Sequence, residues 1–309
     1  MRFFLLIVSF CLSLSFLRVY SQTSNTASPF STADSGVLRH RTKTLAIAGG
    51  TVYAVSMTGL YQLWYRDYPQ SGFHFINDNS EWMSMDKLGH LTTSYYIGRL
   101  GYDAWRWAGM NENKSIWIGG LSGFFYLTAI EILDGFSAEW GASTGDLVAN
   151  TMGSALFISQ QLAWHQQKVL LKWSYHPTAF PHYRPDLLGS NSIQQVIKDY
   201  NGQTYWLSAN LRSFSCKESR IPKWLNLAVG YRSTGMTGAG NNPTIYEGIP
   251  IPSFQRKRLL YIAPDIDLTR IHTHSTTLKW VFEAIGFLKF PLPALEISSQ
   301  KAKFRLLYF

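Results

Sequence analysis

The chain of 309 residues has little charge and almost no cysteine. Asp, Glu, Lys and Arg together make up 15% of it, against roughly 25% in a typical soluble domain. Aromatic residues also reach 15%, with 11 tryptophans, and this combination favours a membrane or interfacial protein over a cytosolic one. The two cysteines, Cys11 and Cys216, form no metal-binding motif. Removal of Cys11 with a leader would leave one thiol and no intramolecular disulfide.

Residues 1–21 have the pattern of a secretory signal peptide. Arg2 precedes an apolar run that extends to Leu17, and cleavage is expected near Ser21. The run is short for a membrane span of roughly 20 residues, which favours cleavage over a retained anchor. Cys11 lacks the small preceding residue of a lipoprotein cleavage site, so lipidation is not expected. We predict a cell-envelope protein located in the outer membrane or the periplasm.

Positive charge is concentrated in the second half of the chain. The net charge is +9 overall, while the part from Lys168 onward has 18 basic and 8 acidic residues, or +10. A basic half can bind nucleic acid, but an exported protein does not meet nucleic acid. Membrane lipids with anionic head groups are therefore the expected partners, and other envelope proteins are further candidates.

Composition and periodicity divide the remainder into three segments. Residues 22–43 are polar and rich in Ser and Thr, as in a linker. Residues 44–168 have long apolar stretches that predict a helical domain, and residues 169–309 change to a period of two. The predicted fold class is therefore α+β.

The helical segment predicts a bundle of about four helices. Their expected bounds are about 45–65, 85–108, 114–133 and 143–165. Ser143 is the predicted N-cap of the fourth helix, because Asp146 follows it by three residues.

The C-terminal segment predicts an antiparallel, membrane-contacting β-sheet. YWLSANLRSF, WLNLAVGYRS, LLYIAPDIDLTRI and KFRLLYF each alternate polar and apolar residues. That alternation fits a soluble sheet or a partial outer-membrane-type β-barrel. The terminal Phe309 and aromatic residues near strand ends favour the barrel. Against it, only about five strands are clear where a small barrel needs about eight, and Pro264 indicates an edge or a bulge.

Three short spacings gather polar residues at helix ends. Asp86 and His90 are four residues apart, as are Asp146 and Asn150, while Glu131 and Asp134 are three apart. Each pair therefore shares a helix face. Burying carboxylates costs several kcal/mol unless they meet partners, so we expect these side chains to converge. The candidate site residues are Asp86, His90, Glu131, Asp134, Asp146 and Asn150.

Three interpretations of this cluster stay open. Asp86, His90 and Glu131 have the mixed carboxylate and imidazole ligands of a divalent cation. His90 is also the natural proton carrier for acid–base chemistry, so whether the protein is an enzyme is undecided. In the structural interpretation, Asp86 and Asp146 stabilise helix N-termini and Glu131 pairs with Lys87. No nucleophile elbow, P-loop or zinc-protease helix is present, so a divalent cation is the one cofactor to consider.

The order of these motifs resembles a known family. DKLGH (86–90) followed by ExxDGFSxxWGASxGDLxANxxG (131–153) resembles the YfiM-like family of uncharacterised bacterial envelope proteins. It is more distantly similar to VanZ-like membrane proteins. The resemblance covers roughly residues 80–165, and NGQTYWLSANLRSF and PKWLNLAVGY resemble a Bacteroidetes-type extension. It implies an envelope helical domain of unknown activity, in a family with many lipoproteins.

The predicted function is therefore an exported cell-envelope protein of unknown activity. Its polar Asp/His/Glu cluster between helices would bind a lipid head group or a divalent cation. The alternative is a non-enzymatic outer-membrane scaffold or assembly partner whose acidic cluster is structural.

Overall fold

The computed structural model describes residues 35–66, 68–216, 219–298 and 301–308. The predicted signal peptide, residues 22–34 of the predicted linker, and Phe309 lie outside the described residues. The chain divides into two compact units. We call residues 35–78 and 90–167 the helical unit, and residues 79–89 and 168–308 the sheet unit. Helices and an antiparallel sheet confirm the predicted α+β class.

The helical unit is built from long helices and one short pair of strands. Strand β1 (Phe75–Ile76) pairs in parallel with strand β2 (Ala142–Ser143), which places the start of helix α5 (Thr144–Trp164) beside residues 75 and 76. The first turn of α2, up to Gly89, groups with the sheet unit. The elements are α1 (Ser35–Leu60, followed by a π-helical turn Tyr61–Tyr65), β1 (Phe75–Ile76), α2 (Met85–Trp107), α3 (Glu112–Gly120), α4 (Ser122–Gly135), β2 (Ala142–Ser143) and α5 (Thr144–Trp164).

Helix bounds follow the expected pattern with two differences. Helix α1 begins at Ser35, so residues 35–43, predicted as part of the linker, are helical. Their Leu, Arg and Lys side chains are good helix formers, and this propensity outweighs the polar composition. The predicted third helix is interrupted at Leu121, between α3 and α4. The two glycines that end α3 weaken the helix there, and the Ser122 hydroxyl bonds to the Gly119 carbonyl oxygen at 2.6 Å.

Glycines let three helices approach closely around the polar cluster. A Cβ on Gly123 of α4 would lie 2.8 Å from the backbone carbonyl carbon of Ser94 on α2. A Cβ on Gly153 of α5 would collide with the carbonyl oxygen of Leu91. Real Cβ atoms do not tolerate such contacts, so helix α2 can lie against α4 and α5 only where these positions lack a side chain.

The sheet unit contains a six-stranded antiparallel sheet. Its strands are ordered β10-β9-β8-β5-β4-β3 and have the bounds β3 (Val169–Tyr175), β4 (Gln203–Asn210), β5 (Leu225–Thr234), β8 (Lys257–Ile266), β9 (Leu292–Ile297) and β10 (Ala302–Tyr308). A small hairpin and short helices join them: α6 (Pro185–Leu188), α7 (Ser192–Lys198), α8 (Leu211–Phe214), β6 (Ile245–Tyr246), β7 (Ile249–Pro250) and α9 (Thr276–Ile285).

The sheet curls strongly but stays open. Strands β3 and β10 are its two edges in the described part of the chain, so it is not a closed barrel. The Tyr308 hydroxyl of β10 lies 3.0 Å from the Thr204 hydroxyl of β4. A flat sheet would hold strands four places apart at about 19 Å, from about 4.8 Å per strand. The backbone at Trp173 also exchanges 2.9 Å hydrogen bonds with Phe287 and Lys289, which bridges β3 to the segment before β9.

Single residues explain the outcome of two strand predictions, one on the end of β4 and one on Pro264. Strand β4 ends at Asn210 rather than continuing to Phe214, because the Asn210 side chain caps α8 by accepting from the Ser213 N–H at 3.0 Å. Pro264 lies within β8 and opposite Leu227 of β5. Pairing with β9 covers only 260–262 of β8, so Pro264 occupies a local edge, as predicted from its missing N–H.

Candidate functional site

Four of the predicted polar residues come together inside the helical unit. His90 is on α2, Glu131 on α4, and Asp146 and Asn150 are one turn apart on α5. Their side chains are almost fully buried, with 6%, 3%, 3% and 0% exposure, respectively. Three helices therefore contribute to one interior polar cluster, which we call the His90 cluster.

Oxygen atoms lie on both sides of the His90 ring. Nδ1 is 3.1 Å from Oδ1 of Asn150 and 3.9 Å from Oε1 of Glu131. Nε2 is 3.8 Å from Oδ1 of Asp146. The first distance is a hydrogen bond, whereas the two carboxylate distances exceed the usual 2.7–3.2 Å range. The ring is thus anchored by an amide and flanked by two acids.

Ser143 binds the Glu131 carboxylate and caps the helix that carries Asp146. Its N–H donates to Oε2 of Glu131 at 2.9 Å, which connects the entry of α5 to α4. Its hydroxyl accepts from the Asp146 N–H at 3.1 Å, which confirms the predicted N-cap. The same hydroxyl donates to Oδ1 of Asp78 at 2.5 Å. Asp78 was not predicted as a site residue, because the short strand Phe75–Ile76 that precedes it was not predicted either.

Two serines hold α2 against α5 on the other side of the cluster. The Ser94 hydroxyl donates to the Asn150 carbonyl oxygen at 2.6 Å and lies 3.0 Å from the Ser154 hydroxyl. Ser154 also accepts from the Phe124 N–H of α4 at 3.2 Å. Neither serine was predicted as a site residue. Ser94 follows His90 by four residues, so helical spacing was the signal that could have identified it.

Asp134 and Asp86 have other partners. Asp134, at the end of α4, accepts a hydrogen bond from the Tyr65 hydroxyl at 2.7 Å. In the sheet unit, Asp86 accepts from the Tyr200 hydroxyl at 2.5 Å, and its second oxygen is 3.7 Å from the Lys87 ammonium. Burial, reinforced by the Asp86 charge, raises the pKa of Tyr205 far above its usual value. Asp86 nevertheless precedes His90 by one turn of the same helix and shares its face.

The donor atoms of the His90 cluster suit a cation. An ion bound by imidazole and carboxylate lies about 2.0–2.2 Å from each ligand atom, so two ligands of one ion are separated by less than about 4.4 Å. The 3.8 Å between Nε2 of His90 and Oδ1 of Asp146 fits that limit. The Asn150 amide nitrogen, fully buried, has no hydrogen-bond partner among the described residues. This nitrogen can donate a hydrogen bond to a ligand or to water.

The helices around the cluster are apolar on the outside. The stretch Glu112–Gly135, which comprises α3 and α4, is long and apolar enough to cross a membrane by length and composition. Buried helices of soluble proteins can have the same length and composition, and this stretch is partly buried. Trp117, Phe125 and Ile132 of this stretch are 51%, 62% and 48% exposed.

The fold and the cluster together define a class: a two-unit α+β protein with a buried histidine–carboxylate cluster on three helices. Residues 70–160 match a family model described as "Predicted periplasmic lipoprotein (DUF2279)". The matched range includes all six predicted site residues and excludes the strands of the six-stranded sheet. No curated protein shows significant similarity to the chain. No solved structure does so either.

The family match supports a bacterial cell-envelope protein of unknown activity. The YfiM-like and VanZ-like resemblances, the outer-membrane location and cleavage near Ser21 stay predictions. The matched family is described as a lipoprotein, whereas Cys11 lacks the expected lipidation context and lies outside the described residues.

Proposed function

We propose that this chain is a cell-envelope protein whose helical unit binds a divalent cation at the His90 cluster. The observation that carries the proposal is the placement of the two His90 ring nitrogens between the carboxylates of Glu131 and Asp146, in the interior of a unit with apolar outer faces. Nε2 of His90 and Oδ1 of Asp146 would be ligands. Asn150 and Glu131, on the Nδ1 side, would orient the His90 ring.

Charge decides which kind of ligand the cluster favours. Two carboxylates beside one imidazole attract a cation and repel a bare phosphate. A lipid head group would therefore enter through an ammonium group or together with a metal ion. A metal is the better candidate because neutral imidazole is itself a metal ligand. Mixed nitrogen and oxygen ligands suit Zn²⁺ or Mn²⁺ better than Ca²⁺ or Mg²⁺, which prefer oxygen alone.

The remaining predicted residues have separate places in this proposal. Asp86 belongs to the sheet unit, where it binds the Tyr200 hydroxyl, so the proposed ligands are taken from the helical unit alone. Asp134, which binds the Tyr65 hydroxyl, would position the end of α4 rather than bind the ion.

Isothermal titration of the purified full-length chain with Zn²⁺, Mn²⁺, Ca²⁺ and Mg²⁺ tests the proposal. We expect saturable binding of Zn²⁺ or Mn²⁺ near one equivalent. Asp146→Asn and Glu131→Gln keep the side-chain shape and remove one negative charge each. Asp146→Asn should weaken binding by more than the roughly 10–100-fold that loss of an outer partner causes. A second titration uses short-chain phosphatidylethanolamine micelles without metal. It tests whether the cluster binds the ammonium group of a lipid head group.

His165→Asn is the matched control for His90→Asn. His165 also pairs with an acid, at 2.9 Å from Glu112, but the pair is exposed and lies outside the cluster. Asn tolerates the left-handed backbone at this position, φ 52°. We expect metal binding to be lost in His90→Asn and unchanged in His165→Asn, with similar circular dichroism. No saturable binding by the unmodified chain, or equal binding in all variants, would contradict the proposal.

A second candidate function is a non-enzymatic outer-membrane scaffold or assembly partner. The observation that favours it is the pair of hydrogen bonds at Ser143: its N–H binds the Glu131 carboxylate of α4, and its hydroxyl caps α5 at the Asp146 N–H. In that case Asp146→Asn and His90→Asn would lower the melting temperature of the metal-free protein equally, and no cation would raise it. Cross-linking in the envelope should then capture stable protein complexes.

A further inference from the structure

We infer that the outward face of the six-stranded sheet binds a membrane surface, with its apolar residues among lipid acyl chains and a basic strand end at anionic head groups. This inference concerns the sheet unit and is independent of the cation site. It rests on the distribution of polar and apolar side chains between the two faces, and on the charge at one end of the sheet.

The covered face of the sheet contains buried polar and charged residues beside a hydrophobic core that includes Trp206 and Tyr261. Asp265, Lys172 and Ser208 are fully buried there, and Asn226 is 1% exposed. The Ser208 hydroxyl donates to Asp265 at 2.6 Å, and the Asn226 amide donates to Ser208 at 2.9 Å. A sheet that folds in water normally covers its apolar face and leaves the polar one exposed. Here the covered face holds both apolar and polar residues, and the open face is apolar instead of polar.

The open face is apolar across five neighbouring strands. One continuous row of paired residues crosses β4, β5, β8, β9 and β10. At about 4.8 Å per strand it extends over about 19 Å along the sheet. Its members are 39–64% exposed, and they are Leu207, Val229, Ile262, Leu295 and Phe304. Leu227 and Leu260, at 45% and 47%, widen the row on either side.

Charge at one end of the sheet identifies the occupant as a lipid surface. Lys257 and Arg258 begin β8, and Lys303 lies at the start of β10, next to Lys301; all four are exposed. The register joins Ile297 to both Leu260 and Ala302, so these strands begin at the same end of the sheet. An apolar face with a basic end complements acyl chains below anionic head groups. A hydrophobic protein partner would account for the apolar row but not for this charge.

Site-directed fluorescence on the full-length chain tests the orientation. In a background with Cys11→Ser and Cys216→Ser, an environment-sensitive dye is attached through Val229→Cys on the row, or through Ser253→Cys on an exposed loop as the control. Vesicles of phosphatidylethanolamine and phosphatidylglycerol should shift the emission of dye at 229 to the blue. Lipids with a quencher on the acyl chain should quench it there and leave the dye at 253 unchanged. Equal responses at both positions, or no response at 229, would overturn the inference.

Two sets of variants separate the apolar and the electrostatic contributions. Leu207→Thr, Val229→Thr and Ile262→Thr combined keep β-propensity and should lower vesicle partitioning about tenfold or more. Lys257→Gln with Arg258→Gln should lower binding about tenfold on anionic vesicles and have little effect on phosphatidylcholine vesicles. Sedimentation without lipid tests whether a second copy of this chain binds the face instead. A stable dimer that the threonine variant abolishes, together with no vesicle binding, would assign the face to a second copy and overturn the inference.

Discussion

Lys172 and Asp265 form an ion pair in the interior of the curled sheet. The ammonium nitrogen lies 2.9 Å from Oδ2, and both side chains are fully buried. Lys172 also donates to the Ile266 carbonyl oxygen at 2.6 Å, and Ser208 donates to Asp265 at 2.6 Å. A buried pair is tolerated only when further hydrogen bonds accompany the charge–charge attraction. These contacts explain how charged side chains fit inside the sheet unit.

Asp265→Asn is therefore expected to destabilise the protein strongly. The substitution leaves the buried Lys172 ammonium without its counter-charge, and such a change typically costs about 3–5 kcal/mol. Chemical denaturation followed by near-ultraviolet circular dichroism measures the free energy of unfolding. Asp186→Asn is the control, because Asp186 pairs with Arg184 at the surface, where such pairs contribute about 0–1 kcal/mol. Similar losses in the two variants would argue against a special role for the buried pair.

Lys289 should make stability rise with pH on the alkaline side. Burial lowers the pKa of Lys289 from 10.5 to about 8, although Asp265 opposes the shift. The folded protein thus releases this proton earlier than the unfolded chain, which binds more protons between the two pKa values. The free energy of unfolding should increase by about 2 kcal/mol from pH 7.5 to 9.5 through this group.

Comparison with Lys289→Met isolates this contribution from other titrating groups. The difference in unfolding free energy between the two proteins, measured by denaturation at each pH, should follow the rise described for Lys289. The range stops at pH 9.5, below the pKa of about 10 that tyrosine has in an unfolded chain. Parallel pH profiles for the two proteins would show that Lys289 keeps an ordinary pKa in the folded state.

The fold was predictable where one periodicity dominated the sequence. The strands around Leu227 and Ile262 alternate clearly, and both were predicted. VLLKWSY was missed because Leu170, Leu171 and Trp173 are all buried, so this strand has no alternation to detect. The curl of the sheet depends on long-range contacts such as Thr204 with Tyr308, which no local pattern encodes.

The sequence predicted which candidate site residues share a helix face, but not which side chains contact one another. Helical spacing grouped Asp146 with Asn150 and suggested that His90 lies nearby, and these three residues do meet. Asp134 shares a helix face with Glu131, yet its side chain binds the Tyr65 hydroxyl. Its partner is 69 residues away in sequence, and helical spacing carries no information on a partner in another element.

Gly123→Ala should destabilise the helical unit even though alanine is the better helix former. The new Cβ would lie 2.8 Å from Ser94 backbone atoms, and such overpacking typically costs about 1–3 kcal/mol. Gly50→Ala in α1 is the matched control, because nothing lies within 4 Å of its Cβ position. That variant should gain up to about 1 kcal/mol from helix propensity. Thermal unfolding of both variants checks the opposite signs, and a stabilised Gly123→Ala would contradict close packing of α2 and α4.

Ser143→Ala should weaken both the helical unit and the proposed cation site. It removes the cap on α5 and the bond to Asp78 but keeps the backbone N–H that binds Glu131. Loss of a serine cap costs about 1 kcal/mol, measured by denaturation. Because the cap fixes the helix end that bears Asp146, cation affinity should fall by roughly 10-fold, as with other outer partners.

Ser143→Thr provides the rescue for this prediction. Threonine retains the hydroxyl, and its capping ability is only slightly lower than that of serine, so stability and cation affinity should both return close to their original values. Ser159→Ala, at an exposed serine of the same helix, should change neither quantity. If Ser143→Ala lowered stability and left cation affinity intact, the cap would serve only the helix. The His90 cluster would then have to keep its geometry through the Ser94 and Ser154 contacts between α2 and α5.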